Sequence, residues 1–334
     1  MASTELFFYG SIKINPPAQS SSTVASYSTM TKSIKVYDPP AFTAAYMQPK
    51  QELDKMLQPG SDKFFIVKIE DMYRLVQRPV TASRGTTHSC LFLTSGEAVM
   101  KIGSREYILH PNEILFVPAG QVFSFQPGDV NTGFLCNFHN DTLTGPYGKT
   151  AVLQAFEFLK VWGNPLIQLP AATTQFVLQL FERLLLDYIQ HGLQHPDIIQ
   201  TYLTTLLCEV NRAYQPVNNE LPGAALHITR KFKELIFTHI RHTHRVTDYA
   251  ALLHISPNHL NKTVKAITGQ SPTKWIDEAI ILEAKVLFNQ SEMSVQEVAT
   301  AVGLDDPSYF TRLFKKYEGC TPTQFRRVIE KSCN

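Results

Sequence analysis

Two short runs near the C-terminus place polar side chains beside apolar ones at helical spacing. Asn258, Asn261, Lys262 and Lys265 interleave with Leu260 and Val264, and Ser308, Thr311, Arg312 and Lys315 interleave with Phe310 and Phe314. Residues four apart share one side of a helix, so each apolar pair fixes a buried face and turns the amides, hydroxyls and cations outward. Groups of that kind pair with base edges and phosphates in a major groove. Arg312 leads the base readers, because a guanidinium can pair bidentately with guanine. Lys265 and Lys315, with the hydroxyls of Thr273 and Thr323, stand where helix ends would face the sugar–phosphate backbone, so they would position without specifying. The bland alternative is a helical bundle whose outer face is merely solvated.

What must hold those faces is written twice. Val246 to Leu253 reads as a short helix followed by a turn and then Asn258 to Lys265. Val295 to Gly303 repeats it, with a turn and then Ser308 to Lys315. Gly269-Gln270-Ser271-Pro272-Thr273 is answered by Gly319-Cys320-Thr321-Pro322-Thr323 at an offset of 50. Repetition of turn chemistry at this level marks a duplicated unit. Each unit has the pattern of a helix-turn-helix, whose two helices cross steeply and approach closely at Ala250 or Ala299. Gly303 supplies a left-handed turn residue, and His254 stands in its place in the first copy. Ser294 with Glu297 forms a capping box ahead of the second unit.

Two such units joined by one helix resemble the AraC-type (AraC/XylS) family of transcription regulators. The resemblance covers about residues 227 to 330. It is closest over Ala299, Gly303-Leu304, Asp305-Asp306, Tyr309-Phe310, Arg312, Phe314-Lys315 and Gly319-Cys320-Thr321-Pro322. Ala250 to Leu260 spans 10 positions and Ala299 to Phe310 spans 11, as the family's longer second turn requires. The resemblance implies that Asn258, Asn261, Lys262, Ser308, Thr311 and Arg312 occupy base-reading positions. The joining helix, with Trp275, Ile276, Ile280, Leu282, Val286 and Leu287, should be core. At about 15 residues it would be about 22 Å long.

The rest of the chain bears on what such a domain serves. The formal net charge is only +2, so the protein is not a general polyanion binder. From His227 onward there are about 15 Lys+Arg against 11 Asp+Glu, which localises nucleic-acid affinity to the C-terminal third. Five scattered cysteines without a CxxC argue against both a disulfide framework and a zinc site. No signal-peptide pattern and no apolar run near 18 residues is present, so a cytoplasmic protein without membrane contact is expected. No catalytic set and no phosphate-cradling glycine loop is discernible, so neither enzyme activity nor a cofactor is expected.

Residues 1–30, rich in Ser and Thr, read as an arm that orders weakly or only against another part of the protein. Phe64 to Val67 and Tyr73 to Val76 read as extended. From Cys90 to Phe138 short apolar runs alternate with Gly96, Gly103, Pro111-Asn112, Pro118-Ala119-Gly120 and Pro127-Gly128, the pattern of a small β-barrel or jelly roll. That series resembles the cupin-like sensor domain of many AraC-type proteins. The cupin metal motifs are broken: His88-Ser89-Cys90 lacks a second His, and Phe123 stands where a ligand would follow Pro118-Ala119-Gly120, so no metal is expected. The resemblance then implies a small-molecule pocket at the lost metal site. It nominates His88 and Phe123, with Phe92 and Phe116 at parity that points inward, and Arg84 as a single cation. The alternatives are that His88 is a core or strand-end histidine and that the aromatics simply fill the barrel.

Two amphipathic stripes follow: Phe176-Val177, Phe181, Leu184-Leu185, Tyr188; and Ile199, Leu203, Leu206, Val210. They would pack on the barrel or, as the resemblance implies, against a twin in a homodimer. The expected architecture is an α+β multidomain chain: arm 1–30, cupin-like barrel 31–150, helical dimerisation segment 151–214, linker 215–226 and all-α double helix-turn-helix domain 227–334. The expected partners are double-stranded DNA, a small-molecule effector, a second copy of the chain and RNA polymerase. A cupin-type enzyme with an appended DNA-binding domain and an effector-independent DNA-binding protein are the competing readings.

Overall fold

A computed structural model of the chain describes residues 36–128, 130–144, 156–160, 163–214 and 223–332. The expected arm and residues 215–222 of the expected linker lie outside the described residues. Turn residues cut the N-terminal half into strands β1 (Phe64–Lys68), β2 (Val80–Arg84), β3 (His88–Gly96), β4 (Ala98–Ile102), β5 (Arg105–Leu109), β6 (Glu113–Val117), β7 (Val122–Phe125), β8 (Asn131–Phe138) and β9 (Leu166–Gln168). They form two antiparallel sheets, ordered β1-β8-β3-β6-β9 and β2-β7-β4-β5. The fifth strand of the larger sheet comes from the segment read as wholly helical; Ile167 pairs with Ile114 and is buried there.

The inner faces of the sheets meet through Leu91, Leu93, Leu115 and Val117 on one side and Ala98, Met100, Ile102 and Leu109 on the other. The outer face of the five-stranded sheet is equally apolar, with Cys90, Phe92, Phe116, Phe134, Cys136 and Phe138. It is covered by two helices from the predicted stripes, at Ala171–His191 and Pro196–Ala213. Phe181 stacks against Phe92 and Phe134 at 5.4 and 5.2 Å between ring centres. Burying such a side chain contributes roughly 1.5–3 kcal/mol. Val177, Leu184, Tyr188, Ile199, Leu203, Leu206 and Val210 complete this layer, whereas Phe176, Leu186 and Ile189 remain exposed.

Phe64 to Val67 lies in β1 as expected, whereas the extended run expected at Tyr73 to Val76 does not form and short helices lie before and after β1. In chain order the helices are α1 (Pro39–Tyr46), α2 (Lys50–Met56), α3 (Ile69–Tyr73), α4 (Asn140–Thr144), α5 (Ala171–His191) and α6 (Pro196–Ala213). Asp38 caps α1, accepting from the Ala41 N–H at 2.8 Å, with prolines in the first turn. Tyr73 closes α3 instead of opening a strand. Acidic Glu70 and Asp71 sit in its first turn, while Ile69 and Met72, three apart, are buried.

The C-terminal half is α7 (Gly223–His239), α8 (Val246–Leu252), α9 (Pro257–Thr268), α10 (Pro272–Gln290), α11 (Val295–Ala301), α12 (Pro307–Glu318) and α13 (Pro322–Ser332). Helix α7 begins four residues before the expected domain start, because Gly223 opens it directly. Ala250 and Ala299 are fully buried, as a close helix crossing demands. Gly303 adopts φ +80° and His254 φ +55°; at Gly303 a Cβ would also fall 2.3 Å from the Arg241 carbonyl oxygen. The Ser294/Glu297 capping box forms. The turn from α8 to α9 is one residue shorter than that from α11 to α12. None of the helices among the described residues is long and apolar enough to cross a membrane.

The four-stranded sheet lies against this helical half. Ala82 and Val122 share one core with Phe232, Ile236, Ile280 and Ile281. At the edge of that contact Arg84 of β2 pairs with Glu283 of α10, their side chains only 13% and 7% exposed, and Arg241 reaches the second carboxylate oxygen at 3.7 Å. Arg84→Ala leaves a buried carboxylate whose nearest remaining cation is Arg241, and should cost about 3–5 kcal/mol, whereas the double replacement Arg84→Met with Glu283→Leu should recover most of it. Urea unfolding of the three proteins measures this; equal losses in single and double variants would show that the pair contributes only packing.

Candidate nucleic-acid interface and inner cavity

Helices α9 and α12 present matching surfaces. Leu260, Val264, Phe310 and Phe314 are fully buried, while Asn258, Lys262, Lys265, Ser308, Arg312 and Lys315 are exposed and Asn261 and Thr311 half-buried. Each helix starts with Pro at its first position. Ser256 caps α9 by accepting from the His259 N–H at 3.2 Å, and Asp306 caps α12 by accepting from the Ser308 N–H at 2.8 Å. Each ends in a left-handed glycine, Gly269 at φ +71° and Gly319 at φ +73°. Lys262, Lys265, Arg312 and Lys315 make no ion pair among the described residues, whereas neighbouring Lys316 is drawn to Asp277 at 3.6 Å. The Asn261 amide donates to the Pro257 carbonyl at 3.0 Å, leaving its oxygen outward-capable as an acceptor.

Thr273 and Thr323 are exposed in the first turns of α10 and α13. Helix N-termini offer unpaired N–H groups and the positive end of the helix dipole, a setting suited to a phosphate. Two further exposed side chains, His259 and Tyr309, follow Asn258 and Ser308 in equivalent places and were not among the candidate DNA contacts. The signal was there in the repeat, since each immediately precedes a buried Leu260 or Phe310. Helix α10 has 19 residues, not about 15, because it begins at Pro272 directly after the first unit; its length is about 28 Å.

The nominated pocket residues are not brought together. Between the sheets lies a cavity of about 90 Å³ whose walls include Phe123, but not Arg84, His88, Phe92 or Phe116. Phe92 and Phe116 have the opposite parity to that expected and face the helical layer, with Phe116 against Phe158 at 4.5 Å. Arg84 is engaged by Glu283 at the contact with α10. His88 is buried and stacked on Phe138 at 5.3 Å. Its Nδ1 accepts from the Ala119 N–H at 3.1 Å and its Nε2–H donates to Asn140 Oδ1 at 2.9 Å, so the neutral imidazole is fully used. Burial depresses its pKa to about 4, opposed in part by the Asn140 hydrogen bond.

The second helices of both units thus expose matched polar faces on a duplicated frame. Residues 249–328 match the family described as Helix-turn-helix domain. The C-terminal region contains a helix-turn-helix domain. The chain is 25% identical over 158 residues to the uncharacterized HTH-type transcriptional regulator YisR of Bacillus subtilis, covering 47% of this chain and 53% of that protein. It is 24% identical over 291 residues to the MmsAB operon regulatory protein of Pseudomonas aeruginosa, covering 85% and 89%. The match to YisR therefore spans about half of that relative, and the match to the MmsAB regulator nearly all of it. Among solved structures, ToxT of Vibrio cholerae O395 aligns with 80% of this chain and 94% of its own at 13% identity and a TM-score of 0.41.

Arg312→Ala in the helix-turn-helix domain should leave the fold intact, the side chain being exposed, and relax binding specificity by about 1–3 kcal/mol at one base pair. Lys265→Ala and Lys315→Ala should weaken all sequences alike and lower the salt slope by about 0.9 each. Binding-site selection and a salt titration separate the two classes. His88 gives a pH test. Its neutral form is favoured in the folded chain, so the unfolded chain takes up the proton first; stability is full above about pH 6.5 and falls toward pH 4. The loss approaches about 3 kcal/mol. It should be absent in His88→Gln, measured as the difference in urea midpoints between pH 7 and pH 4.5.

Proposed function

We propose that the chain is a sequence-specific transcription regulator of the AraC type, acting as a homodimer on double-stranded DNA and responding to a small molecule through its N-terminal half. The observation that carries this is the duplicated, matched exposure of α9 and α12, with four cations left unpaired where base edges and phosphates would lie. A connecting helix of about 28 Å approaches the roughly 34 Å of one DNA turn, so both units can address successive major grooves of one face. RNA polymerase is the further partner through which such a protein would act.

The N-terminal half is, on this reading, a cupin-like jelly roll. Its first eight strands run 1-8-3-6 in one sheet and 2-7-4-5 in the other, the interleaving that two Greek keys produce. The cavity between the sheets is the effector site. It is lined by no carboxylate, imidazole, amine, guanidinium or thiol among the described residues; its Ser, Thr and Tyr hydroxyls thus lack the adjacent base that would activate a nucleophile, which favours ligand binding over barrel catalysis. The exposed Phe176, Leu186 and Ile189 on α5 suit the subunit contact. Incubating the purified protein with fragmented genomic DNA and sequencing what is retained tests the reading. Enrichment of a motif with two half-sites read per protomer is expected; retention without a shared sequence would replace it with an architectural role.

A further inference from the structure

The effector reading above leaves the ligand's chemistry open, and the cavity walls narrow it. Asn137 sits mid-strand on β8, paired across to Ser89 on β3 and to Phe65 on β1. It is 8% exposed. Its Nδ2 donates to Ser89 Oγ at 2.8 Å, while its Oδ1 is buried without a hydrogen-bond partner among the described residues. Both Asn137 and Ser89 line the cavity, whose other walls include Phe42, Leu91, Phe123 and Phe125.

A buried amide oxygen without a partner is costly, on the order of a lost hydrogen bond, and every other strand position facing the cavity is apolar or hydroxylated. Among the described residues no charged side chain lines the space, so an ionised ligand would lose its hydration with no counter-ion there to replace it. The cation nominated for this purpose, Arg84, is already neutralised by Glu283 outside the cavity.

We infer that the cavity takes a small uncharged molecule, an alcohol or phenol with an apolar body, whose hydroxyl donates to Asn137 Oδ1 while its body lies against Phe42, Phe123 and Phe125. A hydroxyl both donates and accepts, so it satisfies the amide whichever way the Asn137–Ser89 pair is turned. The cavity of about 90 Å³ sets the scale at one ring or a short chain. The inference rests on the barrel being the effector site and names what that site accepts.

Calorimetry on the full chain with three probes of similar size tests it: 4-methylphenol, toluene and benzoate. The expected result is tightest binding of 4-methylphenol, about tenfold weaker binding of toluene, and no binding of benzoate. In Asn137→Leu, which keeps the size and removes the acceptor, 4-methylphenol should fall to the level of toluene while toluene is unchanged; thermal melts confirm that the variant is folded. Benzoate binding as tightly as 4-methylphenol, or an unaltered 4-methylphenol affinity in Asn137→Leu, overturns the neutral-hydroxyl class while leaving the cavity as the effector site. Binding of none of the three overturns the effector site itself, and with it this inference, without touching DNA recognition.

Discussion

Helix α10 is the constraint on which the rest of the molecule turns, because three neighbours bury three of its faces at once. Ile276, Ile280, Ala284 and Leu287 belong to the common core of both helix-turn-helix units. Asp277 and Lys285 hold the second unit, accepting from the Tyr317 hydroxyl at 2.9 Å and pairing with Glu318 at 2.9 Å. Glu278 and Glu283 face the barrel, through Ser104 at 2.9 Å and through Arg84. A rigid rod shared this way cannot move relative to one neighbour without disturbing another. The separation of α9 and α12 is therefore not independent of the state of the barrel.

The ion pair between Arg84 and Glu283 gives that dependence a direction. Buried pairs of this kind contribute little net stability, since desolvation offsets most of the attraction, but they penalise every arrangement in which the partners separate. Gly120 adds a steric counterpart: its backbone is at φ +79°, and a Cβ there would meet the ring of Phe237 at 2.9 Å. The contact between the two halves is specified by charge and shape as well as by the apolar patch of Ala82 and Val122.

The C-terminal half was legible from the chain alone because its determinants are local. A capping Ser with Glu three residues on, a glycine where φ must be positive, an alanine where helices cross: each acts within a few residues of itself, and the duplication let each be read twice. The strands of the barrel were legible as strands for the same reason, through their turns. Which face of each strand points inward was not. In Cys90-Leu91-Phe92-Leu93 both parities are apolar, since one face meets the opposite sheet and the other meets α5 and α6, so alternation carries no sign. The inward placement expected of Phe92 and Phe116 depends on that missing sign.

Arg84 lies away from the cavity for a different reason, which bears on the contact between the two halves. Its partner lies 199 residues away, and nothing near either residue marks it as paired. A cation at a strand end beside a cavity and a cation bridging to another domain look identical in sequence; only the topology separates them. The structure puts the one charged group at the end of β2 on the seam, and leaves the cavity to neutral groups. Strands β2 and β7 are then the physical link, for Phe123 lines the cavity on β7 while Arg84, paired to Val122 across the same two strands, holds α10. If a ligand displaced Phe123, the shift would reach Val122, which shares a core with Ile280 and Ile281 of α10, through one peptide unit, and Gly85, which also lines the cavity, adjoins Arg84 itself.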